Sequence, residues 1–200
     1  RQIEEHGQDV GTLLTWARQQ APTRPLFLFG HSMGGLIVTY YTLTQSPDLA
    51  GVILSGPALK LNGASPLLVA IGHVIAKVYP TFPMSTIDTT GISRDAAVVL
   101  ANKADPLIYH DGVPAATALA MVKAVAYVQT HWSAFHWPLL ILQGTADRIV
   151  NPEGSQQFYA QAGSTDKTLK LYDGLYHEVL NEPEKEQVMA DVVAWLDKHS

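Results

Sequence analysis

Residues 26–35 of this 200-residue chain read LFLFGHSMGG, an apolar run followed directly by a glycine-rich turn. The run is short and wholly apolar, which is typical of a strand in the buried middle of a parallel sheet. Residues 36–44 are apolar on nearly every side and predict a buried helix. A second apolar run at 51–55 predicts the next strand. Strand, helix and strand in this order indicate a βαβ unit.

The same alternation returns towards the C-terminus. The apolar run at 139–142 predicts a strand, and the segment LKLY at 169–172 predicts a further one. Helical spacing of apolar residues predicts helices at 2–20, at 153–162 and from Pro183 onwards.

The middle of the chain has a different character. Between 58 and 136 there is no clear strand, and the helical segments at 66–79 and 113–129 are rich in Ala, Val and Leu. We therefore predict an α/β fold with a parallel sheet flanked by helices. In this prediction residues 1–57 and 137–200 form the core, and residues 58–136 form a helical cap inserted between two strands.

The composition excludes several classes of protein. The chain has 13 Lys and Arg against 18 Asp and Glu, a net charge of −5, and no basic stripe, which disfavours a nucleic-acid-binding protein. Cysteine is absent, so disulfides, cysteine-ligated zinc and thiol catalysis are excluded. The histidines show no metal-ligand spacing, and we predict no metal. No apolar run reaches the roughly 18 residues that a membrane-spanning helix needs.

Residues 30–34, GHSMG, fit the pattern G-x-S-x-G. In this pattern the serine lies on a sharp turn between a strand and a helix, and the flanking glycines let the backbone fold tightly. Ser32 is then exposed at the carboxyl edge of the sheet. The first N–H groups of the following helix, beginning with Met33, point to the position where an oxyanion forms. The pattern alone also fits an ordinary glycine-rich loop, but the apolar strand and helix around it favour a nucleophile.

A serine nucleophile needs a base that is itself oriented by an acid, in the chain order Ser, Asp, His for this arrangement. Asp147 and His177 each follow a different predicted strand. Because the carboxyl ends of parallel strands share one edge, we expect Ser32, Asp147 and His177 to converge there. Two alternatives stay open. Asp147 also fits a loop-capping role, and Asp173 is nearer to His177 in sequence but poorly placed to reach its far nitrogen.

Three stretches resemble the monoacylglycerol lipase and lysophospholipase branch of the serine α/β-hydrolases. GHSMGG at 30–35 resembles its nucleophile turn, LQGTADRIV at 142–150 its acid loop, and YHEVLNE at 176–182 its histidine loop. Within the predicted cap, SRD at 93–95 and DPL at 105–107 are similar as well. The resemblance implies the α/β-hydrolase fold.

The same resemblance implies the roles of individual residues. Ser32 is the expected nucleophile, Asp147 the orienting acid and His177 the general base. The N–H of Met33 is expected to be one oxyanion donor. No cofactor is implied.

The implied reaction is hydrolysis of carboxylic esters of long-chain acyl lipids, a monoacylglycerol or a lysophospholipid. We place the acyl pocket at Leu59, Ile71, Ile149 and Val179. The apolar helix predicted at 66–79 is either ordinary core or a lid over this pocket that also contacts a membrane. We accordingly expect a cytoplasmic protein, with the cap as the candidate for peripheral membrane contact.

Two other functions stay open. One is a small-ester carboxylesterase or another acyl hydrolase that uses the same triad. The other is a non-catalytic lipid-binding fragment, because the family's second oxyanion donor lies on a loop after an early strand. Residues 1–24 hold one helix and no such loop, so we expect the 200 residues to be the carboxyl-terminal portion of the enzyme.

Overall fold

The computed structural model describes residues 2–61 and 66–200, with the side chains of residues 66–70 outside that description. The helices are α1 (Ile3–Gln20), α2 (Met33–Gln45), α3 (Pro66–Val78), α4 (Ala96–Ala104), α5 (Ala115–His131), α6 (Glu153–Gln161) and α7 (Lys185–His199). The strands are β1 (Phe27–His31), β2 (Gly51–Ser55), β3 (Pro83–Ser85), β4 (Val113–Pro114), β5 (Leu139–Gly144) and β6 (Lys167–Tyr172).

The predicted α/β fold is confirmed. Four strands form a sheet in the order β1-β2-β5-β6, and every neighbouring pair is parallel. All residues of β2 and β5 are buried, because helices cover both faces of the sheet. Burial on both faces explains why the sequences of these two strands are continuous apolar runs.

Each face of the sheet has its own hydrophobic cluster. On one face, Leu54 and Ile141 pack with Leu36 of α2, Val128 of α5 and Phe158 of α6. On the other face, side chains of the intervening strand residues pack with α7; these are Ile53, Leu140, Leu142, Val188 and Trp195. Successive strand residues point to opposite faces, so this alternation places α2, α5 and α6 on one side of the sheet and α7 on the other.

The expectation that residues 58–136 contain no strand is wrong for the described part of that segment. Strands β3 and β4 pair antiparallel there. They contain three and two residues, and each contains a proline, Pro83 in β3 and Pro114 in β4. Strands this short and partly exposed show no readable alternation, so the sequence pattern did not reveal them.

Helix α5 connects the inserted segment to the core. Met121, in its first half, faces a large cavity, whereas Val128 and the following Trp132 and Phe135 belong to the main hydrophobic cluster. One continuous helix therefore supplies both the inserted segment and the sheet's packing layer. None of the helices that the structure describes combines the length and apolar character needed to cross a bilayer.

Candidate active site

Ser32 lies between β1 and α2 in a backbone conformation that is rare for a residue with a side chain, with φ 54° and ψ −120°. Hydrogen bonds hold it there from both sides. Its N–H donates to the carbonyl of Ser55 at 3.0 Å, and its carbonyl accepts from the N–H of Ala58 at 3.0 Å. The surrounding structure thus stabilises a strained turn, as is common at functional sites.

Close packing explains why two positions of the turn, Gly30 and Gly35, are glycine. A β-carbon at Gly30 would lie 2.6 Å from the carbonyl oxygen of Gly34. A β-carbon at Gly35 would lie 2.7 Å from the side chain of Pro57. Strand and helix can therefore approach one another at this turn only because both positions lack a side chain.

Met33 is the first residue of α2. The first N–H groups of a helix have no acceptor within the helix, and they carry the positive end of the helix dipole. Met33 and Ser32 also line the same cavity. The backbone here is therefore suited to stabilise negative charge next to the Ser32 side chain.

Asp147 lies just after β5, and its carboxylate is fully buried. Oδ1 accepts hydrogen bonds from the N–H groups of Ile149 at 2.8 Å and Val150 at 3.0 Å. Oδ2 accepts one from Nε2 of Gln143 at 3.0 Å and one from Nδ1 of His177 at 2.8 Å. Four donors compensate the buried charge, as burial of a carboxylate requires.

His177 lies on the loop after β6 and is 3% exposed. Since an ionised carboxylate only accepts hydrogen bonds, Nδ1 carries the proton in the contact with Asp147. Nε2 is then the nitrogen with a free lone pair. His177 and Ser32 line the same cavity. The structure thus brings the three predicted residues to one edge of the sheet, whereas Asp173 bonds Thr145 instead.

An ion pair between a partly exposed arginine and a buried glutamate fastens the histidine loop to the inserted segment. The carboxylate of Glu182 is fully buried and accepts from Nε of Arg94 at 2.9 Å. Its other oxygen accepts from the N–H of Tyr176 at 2.8 Å. The N–H of Glu178 donates to the carbonyl of Ile92 at 2.7 Å. Sequence reasoning missed this contact, because Arg94 and Glu182 are 88 positions apart.

A cavity of about 820 Å³ opens next to Ser32 and His177. The inserted segment supplies most of its wall, including the apolar side chains of Met84, Ile87, Ile92, Ile108 and Met121. A volume of this size suits a ligand with a substantial apolar part.

Of the four residues predicted for the acyl pocket, Ile149 lies on the cavity wall. Leu59 and Val179 are fully buried inside the two hydrophobic clusters, one on each face of the sheet. Ile71 is 46% exposed, and its neighbour Gly72 lines the cavity. Leu59, Ile71 and Val179 are thus not among the described wall residues. Apolar character identified them, but depth of burial, which sequence does not give, decides whether such a residue faces a cavity or packs behind it.

His31 is a further polar group on the cavity wall. Its ring centre lies 4.7 Å from that of His177, and its Nδ1 lies 3.3 Å from Oγ of Ser55. Burial lowers the pKa of His31 below its ordinary value of 6.5, and the neighbouring His177 lowers it further. A neutral imidazole is therefore favoured beside His177 near pH 7.

A parallel α/β sheet, a serine on a strained strand-to-helix turn and a buried Asp–His pair at the same edge define a serine α/β-hydrolase. The sequence profile described as serine aminopeptidase S33 (Hydrolase_4) matches residues 1–184. The chain belongs to this family.

Similar proteins carry the name of a lipase. The chain is 39% identical to a monoacylglycerol lipase of Mycolicibacterium smegmatis over 200 residues, covering 100% of this chain and 71% of that protein. It is 34% identical over 179 residues to the monoglyceride lipase of Rattus norvegicus, covering 88% of this chain and 59% of that protein. The crystal structure of a Paleococcus ferrophilus monoacylglycerol lipase superposes with a TM-score of 0.88 at 30% identity, covering 100% of this chain and 77% of that one.

Proposed function

We propose that this chain carries the triad and the acyl-binding cavity of a serine hydrolase that cleaves monoacylglycerols. The observation that carries the proposal is the position of Ser32 and His177 on the wall of one large apolar cavity. An acyl chain in this cavity has its ester carbonyl beside the serine. The names of the similar lipases support the same substrate class.

Acylation begins with proton transfer from Oγ of Ser32 to Nε2 of His177 as Oγ attacks the ester carbonyl carbon. The carbonyl oxygen becomes an oxyanion, which the N–H of Met33 stabilises by a hydrogen bond. Asp147 keeps the His177 ring oriented and stabilises the imidazolium while it exists. When the tetrahedral intermediate collapses, His177 gives its proton to the leaving glycerol oxygen, and the acyl group stays on Ser32.

Deacylation repeats these steps with water. His177 removes a proton from a water molecule, which attacks the acyl carbonyl carbon. Collapse releases the fatty acid and returns the proton to Oγ of Ser32. Four hydrogen-bond donors compensate the charge of the buried Asp147 carboxylate beside His177.

We also propose that residues 58–136 act as a cap whose surface contacts lipid. Several apolar residues of the cavity wall are partly or largely exposed, namely Met84, Ile87, Ile108 and Tyr109. They mark an apolar mouth of the cavity. Two further apolar side chains of residues 58–136 are exposed as well, with Val78 81% exposed and Leu107 91% exposed. Clustered apolar exposure of this kind is characteristic of surfaces that bind a partner or a membrane.

The test combines labelling with a substrate comparison. A fluorophosphonate probe should modify Ser32, as mass spectrometry of the labelled peptide would show. Hydrolysis of a long-chain monoacylglycerol should exceed that of a lysophospholipid, a short-chain soluble ester and an aminoacyl anilide. The last two substrates separate the lipase from a small-ester carboxylesterase and from an aminopeptidase. Labelling at another residue, or no preference for the acyl lipid, would contradict the proposal.

A further inference from the structure

Asp147 has a second side-chain partner besides His177. Gln143, the penultimate residue of β5, is completely buried and donates from Nε2 to Oδ2 of Asp147 at 3.0 Å. The same nitrogen lies 3.2 Å from the carbonyl oxygen of Gly144. Oε1 of Gln143 accepts from Oγ of Ser155 in α6 at 2.8 Å. Ser155 is also completely buried.

The contacts fix the orientation of the Gln143 amide. The carbonyl of Gly144 and the ionised carboxylate of Asp147 can only accept, so the NH₂ group must face both. Oε1 therefore faces Ser155, whose hydroxyl donates. Both amide protons and the amide oxygen then have partners, and the side chain has one arrangement that satisfies all of them.

Oδ2 of Asp147 is the oxygen that binds both Gln143 and His177. We propose that Gln143 is a positioning residue of the triad, which holds Oδ2 towards His177 and sets the pH at which His177 loses its proton. The partial positive charge of its N–H offsets part of the carboxylate charge. The mechanistic consequence rests on the proposed hydrolase function. The effect on the protonation of His177 is independent of that function, because His177 gains and loses its proton whether or not the protein turns over a substrate.

The sign of the effect follows from electrostatics. Without the amide, more of the negative charge of Asp147 acts on His177, and the protonated imidazole persists to higher pH. The ring centre of His31 lies 4.7 Å from that of His177, and Glu178, the next residue in the chain, acts electrostatically on His31. Arg148 and Tyr176, which bond each other, flank the two triad residues. All four stay unchanged in the variants below.

The central variant is Gln143→Met, which keeps the length of the side chain and removes the amide. It leaves the hydroxyl of Ser155 without its acceptor, which destabilises the protein. The double variant Gln143→Met with Ser155→Ala also removes the hydroxyl that lost its acceptor, and so recovers the part of the stability lost at Ser155. Ser164→Ala is the matched control. Its buried hydroxyl donates to the carbonyl of Asp166 at 2.9 Å, before the amino end of β6 and away from the site.

The primary readout is an NMR pH titration of the His177 ring nitrogens and of its Nδ1 proton, which needs no turnover. We expect the His177 titration to move to higher pH in both Gln143 variants. The acid limb of the kcat/KM profile should move with it, and kcat should fall about tenfold, as for one charge-assisted hydrogen bond. Thermal stability should fall in the single variant and recover in part in the double variant.

A double variant that regains the wild-type titration together with its stability would show that Gln143 only supports the fold, and would overturn the proposal. So would a single variant with an unchanged titration. If the single variant does not fold, the double variant decides. Ser164→Ala should keep the wild-type titration and kcat. A wild-type protein without turnover but with the expected NMR shifts would refute the hydrolase function and leave the role of Gln143 supported.

Discussion

Gly56 and His177 are in such close contact that a β-carbon on Gly56 would lie 3.1 Å from Nδ1 of the imidazole. The same β-carbon would lie 3.0 Å from the carbonyl oxygen of His177. Gly56 directly follows β2 and has φ +48°. The backbone that directly follows β2 therefore packs against the imidazole of His177. A single methyl group at Gly56 would displace the ring.

We expect Gly56→Ala to lower kcat by tenfold or more, because small displacements of a catalytic group carry large rate penalties. Gly174→Ala is the matched control. Gly174 also has positive φ, +71°, but a β-carbon there meets no atom within 4 Å. Both variants should lose about 1–2 kcal/mol of unfolding free energy from the left-handed backbone alone. Urea denaturation and kcat of both proteins check this, and equal kcat losses would contradict the specific role of the Gly56 contact.

The triad should behave as one unit. We expect Ser32→Ala and His177→Ala to reduce kcat to a similar residual rate, because either loss stops the same proton transfer. Asp147→Asn should cost about 10⁴-fold in kcat, since the amide favours the wrong imidazole tautomer. Asp173→Asn, at the alternative acid, should keep near-normal turnover. The rate of monoacylglycerol hydrolysis is measured for all four variants. Near-normal turnover by His177→Ala would disprove the assignment of the triad.

The ion pair of Arg94 with the buried Glu182 should contribute more to stability than its pair with the exposed Glu184. Arg94 also pairs with Glu184, whose side chain is 49% exposed. Glu182→Gln should lower the unfolding free energy by about 2–3 kcal/mol, because charged hydrogen bonds in a buried site are lost. It should lower kcat as well, since the histidine loop loses its anchor. Glu184→Gln should change the unfolding free energy by less than about 0.5 kcal/mol. Equal losses of unfolding free energy in Glu182→Gln and Glu184→Gln, measured by urea denaturation, would argue against a special role of the pair between Arg94 and Glu182.

Stability should depend on pH through His31. Burial holds the pKa of His31 in the folded protein below 6.5, its ordinary value. The unfolded chain therefore binds a proton at higher pH than the folded one, so this stabilisation is present above pH 6.5 and is lost as pH falls through the folded pKa. His31→Asn should flatten this part of the decline. Urea denaturation at pH 7.5, 6.5 and 5.5 compares the two proteins, and parallel curves would exclude His31 as the source.

The apolar cap surface should be needed for lipid aggregates and not for chemistry. We expect Val78→Glu to lower the rate on vesicles that contain a monoacylglycerol at least fivefold, because a charge on the surface opposes burial in lipid. The rate on a soluble short-chain ester should stay unchanged. Val193→Glu on α7, where the side chain is 55% exposed, is the control for an added charge elsewhere. A similar fall on both substrates would instead indicate damage to the fold.

The sequence by itself determined the sheet and the place of the triad. Apolar runs marked β1, β2 and β5, and β2 and β5 are buried throughout, as strands covered on both faces require. The segment LKLY at 169–172 marked β6, although it includes Lys170. β1 lies at the edge of the four-stranded sheet with Phe29 48% exposed, and not in the buried middle that its apolar run predicted. Ser32, Asp147 and His177 each follow one of these strands, and parallel topology brings such positions to one edge. This reasoning needs only the order of elements along the chain, which the sequence contains.

Only the tertiary structure decided which side chains meet across that edge. Leu59, Val179 and Ile149 are all apolar and all close in sequence to site residues, yet only Ile149 faces the cavity. The contact between Arg94 and Glu182 likewise has no signature in either local sequence. Whether a residue faces the cavity and whether two distant residues meet both depend on how the packed segments are arranged in space. Local patterns carry periodicity and turn chemistry, whereas depth and distant contacts arise only when the whole chain packs.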